Sequence, residues 1–163
     1  MKMGKVNEPQ SFGYLYKLLG IPELQYYGSN NPIFIKHQKN DFKADTGCSP
    51  DSCAITKEGK ISFGMEFKNP SGDTHWDYLT EITDQESLKA VCKDFYTQVQ
   101  FSMDCTGADL WLWCSYNEYF PEKHKALIIE CTPDNEFMGE LNERILKAIE
   151  KKYELIEEMK NKS

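Results

Sequence analysis

Apolar positions near the start of the chain recur at helical spacing. Between residues 9 and 19 they form one stripe, which predicts a first helix over this range. Asn7 is a suitable N-cap, Pro9 suits the first turn, and Gly20 followed by Pro22 predicts the end of the helix. The stripe consists of Phe12, Leu15, Tyr16, Leu18 and Leu19.

The rest of the pattern predicts strands interspersed with helices. The predicted elements are a strand starting at 32–35, a hairpin of strands 52–56 and 61–68, a helix over 86–103, strands over 108–116 and 126–131, and a last helix over 135–159. A connection of 17 residues, 69–85, follows the hairpin, and loops of this length in compact domains are often functional. The order of elements predicts an α/β sandwich with a mixed central sheet.

Composition and length indicate one folded domain over residues 1–163. Of these residues 40% are hydrophobic and 13% aromatic, which supplies a core and excludes intrinsic disorder. Apolar runs such as 126–129 are far below the roughly 20 residues of a membrane span. No apolar stretch follows the basic start of the chain, so no secretory signal is predicted. We expect a soluble, intracellular protein with no membrane partner.

The six cysteines carry no metal-binding pattern. They contain no CxxC pair and no zinc-finger spacing, and they lie mostly in apolar segments, so we expect reduced structural thiols. Their spacing also differs from that of an iron–sulfur site. The positions are Cys48, Cys53, Cys92, Cys105, Cys114 and Cys131.

The net charge of −7 excludes a protein that coats nucleic acid passively. The charge is unevenly distributed, since residues 1–50 carry six lysines and four acids, whereas residues 51–129 carry seven lysines and thirteen acids. Such an acidic middle segment is either a solvated face or a place that holds divalent cations.

The candidate chemistry lies in the predicted hairpin. Residues i and i+2 of a strand share a face, so Glu66 and Lys68 point the same way. Folding the hairpin brings Asp51 beside Glu66, and two adjacent carboxylates both stay ionised only with a cation between them. Their oxygen atoms suit Mg²⁺ or Mn²⁺, and the lysine is suited to act on a water or a phosphate oxygen. The alternative is a surface ion pair between Glu66 and Lys68.

Three blocks of the sequence together resemble the lambda exonuclease (YqaJ-type viral recombinase) family of the PD-(D/E)XK nuclease superfamily. The blocks are Ser49-Pro50-Asp51, Glu66-Phe67-Lys68-Asn69-Pro70 and the segment 96–103. Their order and spacing match the family over most of the chain. The resemblance implies a restriction-endonuclease-like core, with a mixed central sheet flanked by helices.

The resemblance also implies roles for individual residues. Asp51 and Glu66 match the metal-binding acids, with the backbone carbonyl of Phe67 as a further ligand, and Lys68 matches the catalytic lysine. Glu8 lies in a block similar to the family's G-x-x-x-E motif, which makes it a candidate metal ligand. The alternative for Glu8 is a first-turn acid favoured by the helix dipole. The implied cofactor is Mg²⁺, with Mn²⁺ as a substitute.

Gln98 is the fourth catalytic candidate. At 100° per residue in one continuous helix, it falls inside the apolar stripe, whereas Gln100 falls on the opposite face. A buried amide requires a partner, and the family implies that Gln98 lies beside the lysine and the attacking water. The alternative is a core glutamine bonded to backbone. Gln100 and Tyr96 are weaker candidates.

The segment after Lys68 contains candidate DNA contacts. Ser71, His75 and Trp76 lie there, and Trp76 is suited to stack on or wedge between bases. Trp111 and Trp113 are instead expected on one buried face of a strand.

The resemblance implies a 5′-to-3′ exonuclease that resects ends of double-stranded DNA for phage or prophage recombination in the cytoplasm of a bacterial host. A single-strand annealing protein and a homotrimeric assembly are implied partners. The family's N-terminal segment, with an Arg and a Ser for the 5′-phosphate, is absent from this sequence, which leaves end preference and trimer open. The alternatives are a structure-selective endonuclease of the same superfamily and a catalytically silent DNA-binding module.

Overall fold

A computed structural model describes residues 2–28, 31–37 and 46–161, with side chains from Glu8 onward. The helices are α1 Lys2–Leu19, α2 Gly72–Glu81, α3 Gln85–Val91, α4 Lys93–Thr106 and α5 Asn135–Asn161. The strands are β1 Leu24–Tyr26, β2 Ile35–Lys36, β3 Gly47–Cys48, β4 Ser52–Ile55, β5 Ile61–Lys68, β6 Trp111–Tyr116 and β7 Ala126–Cys131. A short 3₁₀ turn covers Glu122–His124.

Five strands form a mixed sheet in the order β1-β4-β5-β6-β7. The pairs β1–β4, β4–β5 and β6–β7 are antiparallel, whereas β5 and β6 run parallel with Glu66 opposite Trp113. A parallel neighbour requires a crossover, and α2, α3 and α4 supply it. Strands β2 and β3 form a separate two-stranded sheet. The predicted mixed sheet flanked by helices is confirmed.

Core residues pack on both faces of the sheet. One cluster joins Trp111 and Trp113 to residues of α3, α4 and α5, and the other joins Leu112 and Cys114 to Leu15 of α1. The two tryptophans are fully buried, as their alternation along β6 predicted. All six cysteines are free, as expected. None of the helices in the described ranges combines the length and apolar composition that a membrane span requires.

Gly64 shows how closely the central strands approach each other. It pairs with Trp111 across the parallel ladder, and a Cβ atom at Gly64 would lie 2.3 Å from the Cη2 atom of that indole. Any side chain at this position would therefore displace Trp111 from the core.

Several element boundaries differ from the predictions. Helix α1 begins at Lys2, so Asn7 and Pro9 lie within the helix, and Asn7 is not its N-cap. The strand expected from 32–35 is limited to β2. Residues 38–45 of the connection that follows it lie outside the described residues.

The two largest differences lie in the crossover. The connection 69–85 contains helix α2, because the side chain of Ser71 caps it by accepting from the Thr74 amide at 3.4 Å. The single helix expected over 86–103 is two helices, α3 and α4. They are separated at Cys92, whose dihedral angles of −130° and 60° are not helical.

Candidate active site

The site is built on the last residues of β5. Glu66 and Lys68 share a face of the strand, and the ammonium of Lys68 donates to Glu66 Oε1 at 2.7 Å. Phe67, between them, turns into the core cluster that contains Leu15. The Glu66 side chain is 6% exposed and that of Lys68 is 19% exposed. The alternative of a solvent-exposed surface ion pair is therefore wrong for these two residues.

Asp51 joins this pair through the hairpin. It lies directly before β4, and its carboxylate accepts a hydrogen bond from the Phe67 backbone amide at 2.8 Å. The antiparallel pairing of β4 with β5 fixes this position, and it places the Asp51 carboxyl group near enough to that of Glu66 for each to affect the other's proton affinity. The hairpin thus brings the two acids together, as the sequence predicted.

Gln98 reaches the same cluster from helix α4. Its amide nitrogen donates to Glu66 Oε1 at 2.7 Å, and its amide oxygen accepts from the ammonium of Lys68 at 3.2 Å. The three side chains therefore form a closed triangle of hydrogen bonds. A glutamine suits this place because its amide both donates and accepts.

The burial expected for the two glutamines is reversed. Gln98 is exposed at its helix surface, whereas Gln100 is fully buried and bonded to the Thr132 carbonyl at 3.0 Å and the Asp134 amide at 2.8 Å. The break at Cys92 starts a new helix, so the stripe of α3 does not continue in phase into α4. Gln98 is a member of the acidic cluster, and Gln100 is the structural glutamine.

Both carboxylic acids have unusual proton affinities. Burial and, after it, the charge of Asp51 raise the pKa of Glu66 to about 7, although Lys68 and Gln98 oppose this increase. Burial also raises the pKa of Asp51, against the effect of the hydrogen bond from Phe67. Near neutral pH the pair therefore retains a proton unless a cation is present.

Glu8 is linked to the site through Tyr26. The phenol of Tyr26 donates to the Glu8 carboxylate at 3.4 Å, and its ring stacks on Phe12 with centroids 5.3 Å apart. Burial, followed by the charges of Glu8 and Asp51, raises the pKa of Tyr26. The phenol of Tyr26 is therefore close enough to both acids to be affected by their charges. No signal in the sequence distinguished this tyrosine, since strand β1 has only three residues.

The oxygen atoms of this cluster are of the kind that divalent cations prefer. Across residues 2–28, 31–37 and 46–161, no group of three or more His, Cys, Asp or Glu side chains is arranged to hold a metal ion. Asp51 and Glu66 nevertheless offer neighbouring carboxylate groups, and their mutual repulsion favours a cation over two protons. Their chemistry fits Mg²⁺ or Mn²⁺, provided that further oxygen ligands complete the shell.

Phe95 supports the lysine. The ammonium of Lys68 lies 4.7 Å from the centroid of the Phe95 ring. The same ring stacks on Trp113, with 6.0 Å between centroids. Sequence reasoning placed Phe95 in the apolar stripe and missed this contact. The signal was its position three residues before Gln98, which puts both on one face of a helix.

The candidate DNA contacts after Lys68 separate into two groups. His75 is fully buried; its Nε2 donates to the His124 carbonyl at 2.8 Å, and its Nδ1 accepts from the Ser115 hydroxyl at 2.7 Å. His75 therefore fixes α2 to β6 and is not retained as a DNA contact. Ser71 is the cap of α2. Trp76 is 55% exposed and stays a candidate.

Comparison with known structures shows that this fold is shared with an exonuclease. The solved structure of LHK-Exo, an alkaline exonuclease from Laribacter hongkongensis, matches with a TM-score of 0.77, covering 99% of this chain and 73% of the other. LHK-Exo in complex with dAMP matches with a TM-score of 0.78, covering 99% and 72%. Sequence identity is 21% in both. No family model and no curated protein matches the sequence.

Proposed function

We propose that this chain is a divalent-metal-dependent deoxyribonuclease that hydrolyses phosphodiester bonds at the ends of duplex DNA. The observation that carries the proposal is the triangle of Glu66, Lys68 and Gln98 beside the carboxylate of Asp51. The exonuclease fold of the neighbouring structures supports the same reading. A silent binding module has no use for a buried acid pair with a catalytic lysine.

Asp51 and Glu66 would hold the metal ion, with the carbonyl of Phe67 and the carboxylate of Glu8 as further ligands. When bound, Mg²⁺ or Mn²⁺ supplies Lewis-acid polarisation of the scissile phosphate and lowers the pKa of a bound water. The protein side chains position the substrate and handle its charge.

Lys68 is the group that meets the reacting phosphate. Its ammonium donates a hydrogen bond to the phosphate oxygen on which negative charge develops, and it orients the attacking water. Gln98 and Glu66 each accept a hydrogen bond from the ammonium, and the ring of Phe95 makes a cation–π contact with it. A fixed donor loses little entropy at the moment of reaction, which is the advantage of this arrangement.

The finer assignments rest on the sequence resemblance. We propose cleavage from 5′ to 3′, a role in phage or prophage recombination in the bacterial cytoplasm, a single-strand annealing protein as partner, and a homotrimer as the assembly. An end-resecting enzyme accepts any base sequence, so base preference is not expected.

The test is digestion of linear and closed circular duplex DNA with Mg²⁺ or Mn²⁺, and with EDTA as the metal-free control. Glu66→Gln and Lys68→Met are expected to lower the rate by roughly 10²- to 10⁴-fold. The matched controls are Glu58→Gln and Lys57→Met, which make the same changes in the exposed turn of the same hairpin.

The outcomes separate the possible functions. Metal-dependent loss of linear DNA alone, with both site variants inactive and both controls active, supports the exonuclease. Cutting of the closed circle identifies the endonuclease instead. No cutting by a folded wild-type protein with either metal refutes the nuclease proposal.

A further inference from the structure

A cavity opens where helix α3 ends and helix α4 begins. Its volume is about 350 Å³, within the range of small-molecule sites. It is lined by Tyr78, Val91, Cys92, Lys93, Asp94 and Phe95.

The cavity exists because the two helices are not continuous. Cys92 leaves the helical conformation, and Val91 is left 41% exposed at the end of α3. The ring of Tyr78, from α2, forms another wall and meets Trp113 edge-on at 5.4 Å between centroids. Aromatic and aliphatic groups therefore face a space that the core does not fill.

This cavity adjoins the catalytic cluster through one shared side chain. Phe95 lines the cavity, and the centroid of its ring lies 4.7 Å from the ammonium of Lys68. Gln98 is one turn further along the same face of α4. Phe95 is thus shared by the cavity and the catalytic cluster.

We propose that this cavity binds the nucleobase of a nucleotide whose phosphate lies at Lys68. The inference deepens the proposed function and rests on it. The walls suit the flat apolar faces of a base, and Lys93 and Asp94 offer one cation and one anion to its polar edges. These opposite charges give no net attraction for a second phosphate, which argues for a base as the occupant.

Such a site would hold any base. Stacking on aromatic rings depends on a π-face that all bases share, so it positions the substrate without selecting sequence. The binding energy of the base is then available to hold the adjacent phosphate in register with Lys68.

The test compares two ligands that contain no phosphodiester bond: thymidine 5′-monophosphate and 2-deoxyribose 5-phosphate, which has no base. Each is titrated with Mg²⁺ into the full chain, with binding followed by nuclear magnetic resonance. The wild type is expected to bind the nucleotide roughly 5- to 100-fold more tightly than the sugar phosphate. The variants are Val91→Glu and Val91→Lys, with Val91→Thr as the control of similar size.

Both charged variants are expected to lose the preference for the nucleotide, with unchanged melting temperature, while Val91→Thr keeps it. If only the charge at residue 91 mattered, the affinities for both ligands would change together, falling in Val91→Glu and rising in Val91→Lys. Equal binding of the two ligands by the wild type, binding of neither, or a retained preference in folded Val91→Glu and Val91→Lys overturns the inference.

The nuclease assay separates the two proposals. A protein that prefers the nucleotide and cuts no DNA refutes the nuclease function alone. A protein that cuts DNA and shows no preference refutes the base site alone.

Discussion

Gln98 donates a hydrogen bond of 2.7 Å to Glu66 across 32 residues of sequence. This bond links the crossover helix α4 to the sheet at the place where the acids lie. It fixes which oxygen of Glu66 faces Lys68, and it leaves the amide oxygen of Gln98 directed at the same ammonium. Gln98 is therefore a positioning residue for the cluster.

Gln98→Leu is expected to lower the nuclease rate by roughly 10- to 100-fold, because second partners of catalytic groups have effects of that size. Stability should change little, since Gln98 is at the surface. The matched comparison is Gln100→Leu, which leaves the Asp134 amide and the Thr132 carbonyl without their partner and should lower the melting temperature instead. Equal activity losses per folded molecule in the two variants would contradict these roles.

The raised pKa of Glu66 predicts how stability depends on pH in EDTA. Between its ordinary value of 4.5 and about 7, the folded state keeps a proton that the unfolded chain releases. The free energy of unfolding should therefore fall as pH rises through this window and level off above it. The pKa of Asp51 is also raised, so this residue makes the free energy of unfolding fall further as pH rises.

Glu66→Gln isolates the contribution of that one carboxyl group. It should stabilise the metal-free protein by on the order of 1–3 kcal/mol at pH 8 and have little effect at pH 4. Urea titrations at the two pH values measure this, with Glu58→Gln as control. Mn²⁺ should raise the melting temperature of the wild type at pH 8 and not that of Glu66→Gln; a wild type insensitive to Mn²⁺ would argue against the metal site.

Asp134 is predicted to be a structural anchor. Its carboxylate accepts hydrogen bonds from Lys89 at 2.7 Å, Tyr96 at 2.8 Å and the Phe137 amide at 3.0 Å. The bond from Lys89 is the main reason that the pKa of Asp134 is lowered to about 2. Asp134→Ala should cost about 2–4 kcal/mol of stability, through the lost cap of α5 and the orphaned phenol of Tyr96.

The measurement is urea unfolding at pH 7, with Asp77→Ala on the surface of α2 as the control. Because the pKa of Asp134 is lowered on folding, its contribution is complete above the ordinary value of 3.8 and declines as pH falls towards 2. The difference between wild type and Asp134→Ala should therefore shrink in acid. A constant difference from pH 7 to pH 2 would show that the carboxylate charge is not its source.

Trp76 is predicted to contact DNA. It is a large apolar side chain exposed on α2, the first helix after strand β5. Trp76→Ala should weaken binding of duplex DNA by roughly 5- to 100-fold, as expected for the loss of one stacking contact, with an unchanged melting temperature. Fluorescence anisotropy with labelled DNA measures this, and Tyr119→Ala, which removes another exposed ring, is the control. If the two substitutions weakened DNA binding equally, the prediction that Trp76 makes a specific contact with DNA would be wrong.

The parts of the site that follow strand geometry could be predicted from the sequence. Alternation along β5 placed Glu66 and Lys68 together, and the short hairpin turn placed Asp51 beside them. The buried face of Trp111 and Trp113 followed from the same rule.

The crossover was harder to predict, because its local signals were weak. The capping serine of α2 stood between Pro70 and Gly72, which are typical of loops. The apolar spacing of Leu88, Val91 and Phe95 agrees with one continuous helix, and no glycine or proline marks the break at Cys92. That break reverses the expected burial of Gln98 and Gln100, although Val99 and Ser102 are buried as the continuous stripe predicts.

The parallel pairing of β5 with β6 has a consequence for the order in which the chain becomes functional. The hairpin that carries Asp51 and Glu66 closes locally, over 16 residues, whereas Gln98 reaches the strand only once the helices between β5 and β6 have docked. Contacts that are distant in sequence form late and slowly. On the ribosome, the hairpin with the two acids therefore emerges before helix α4, and the growing chain passes through a stage that has the acids and Lys68 but lacks the contacts of Gln98.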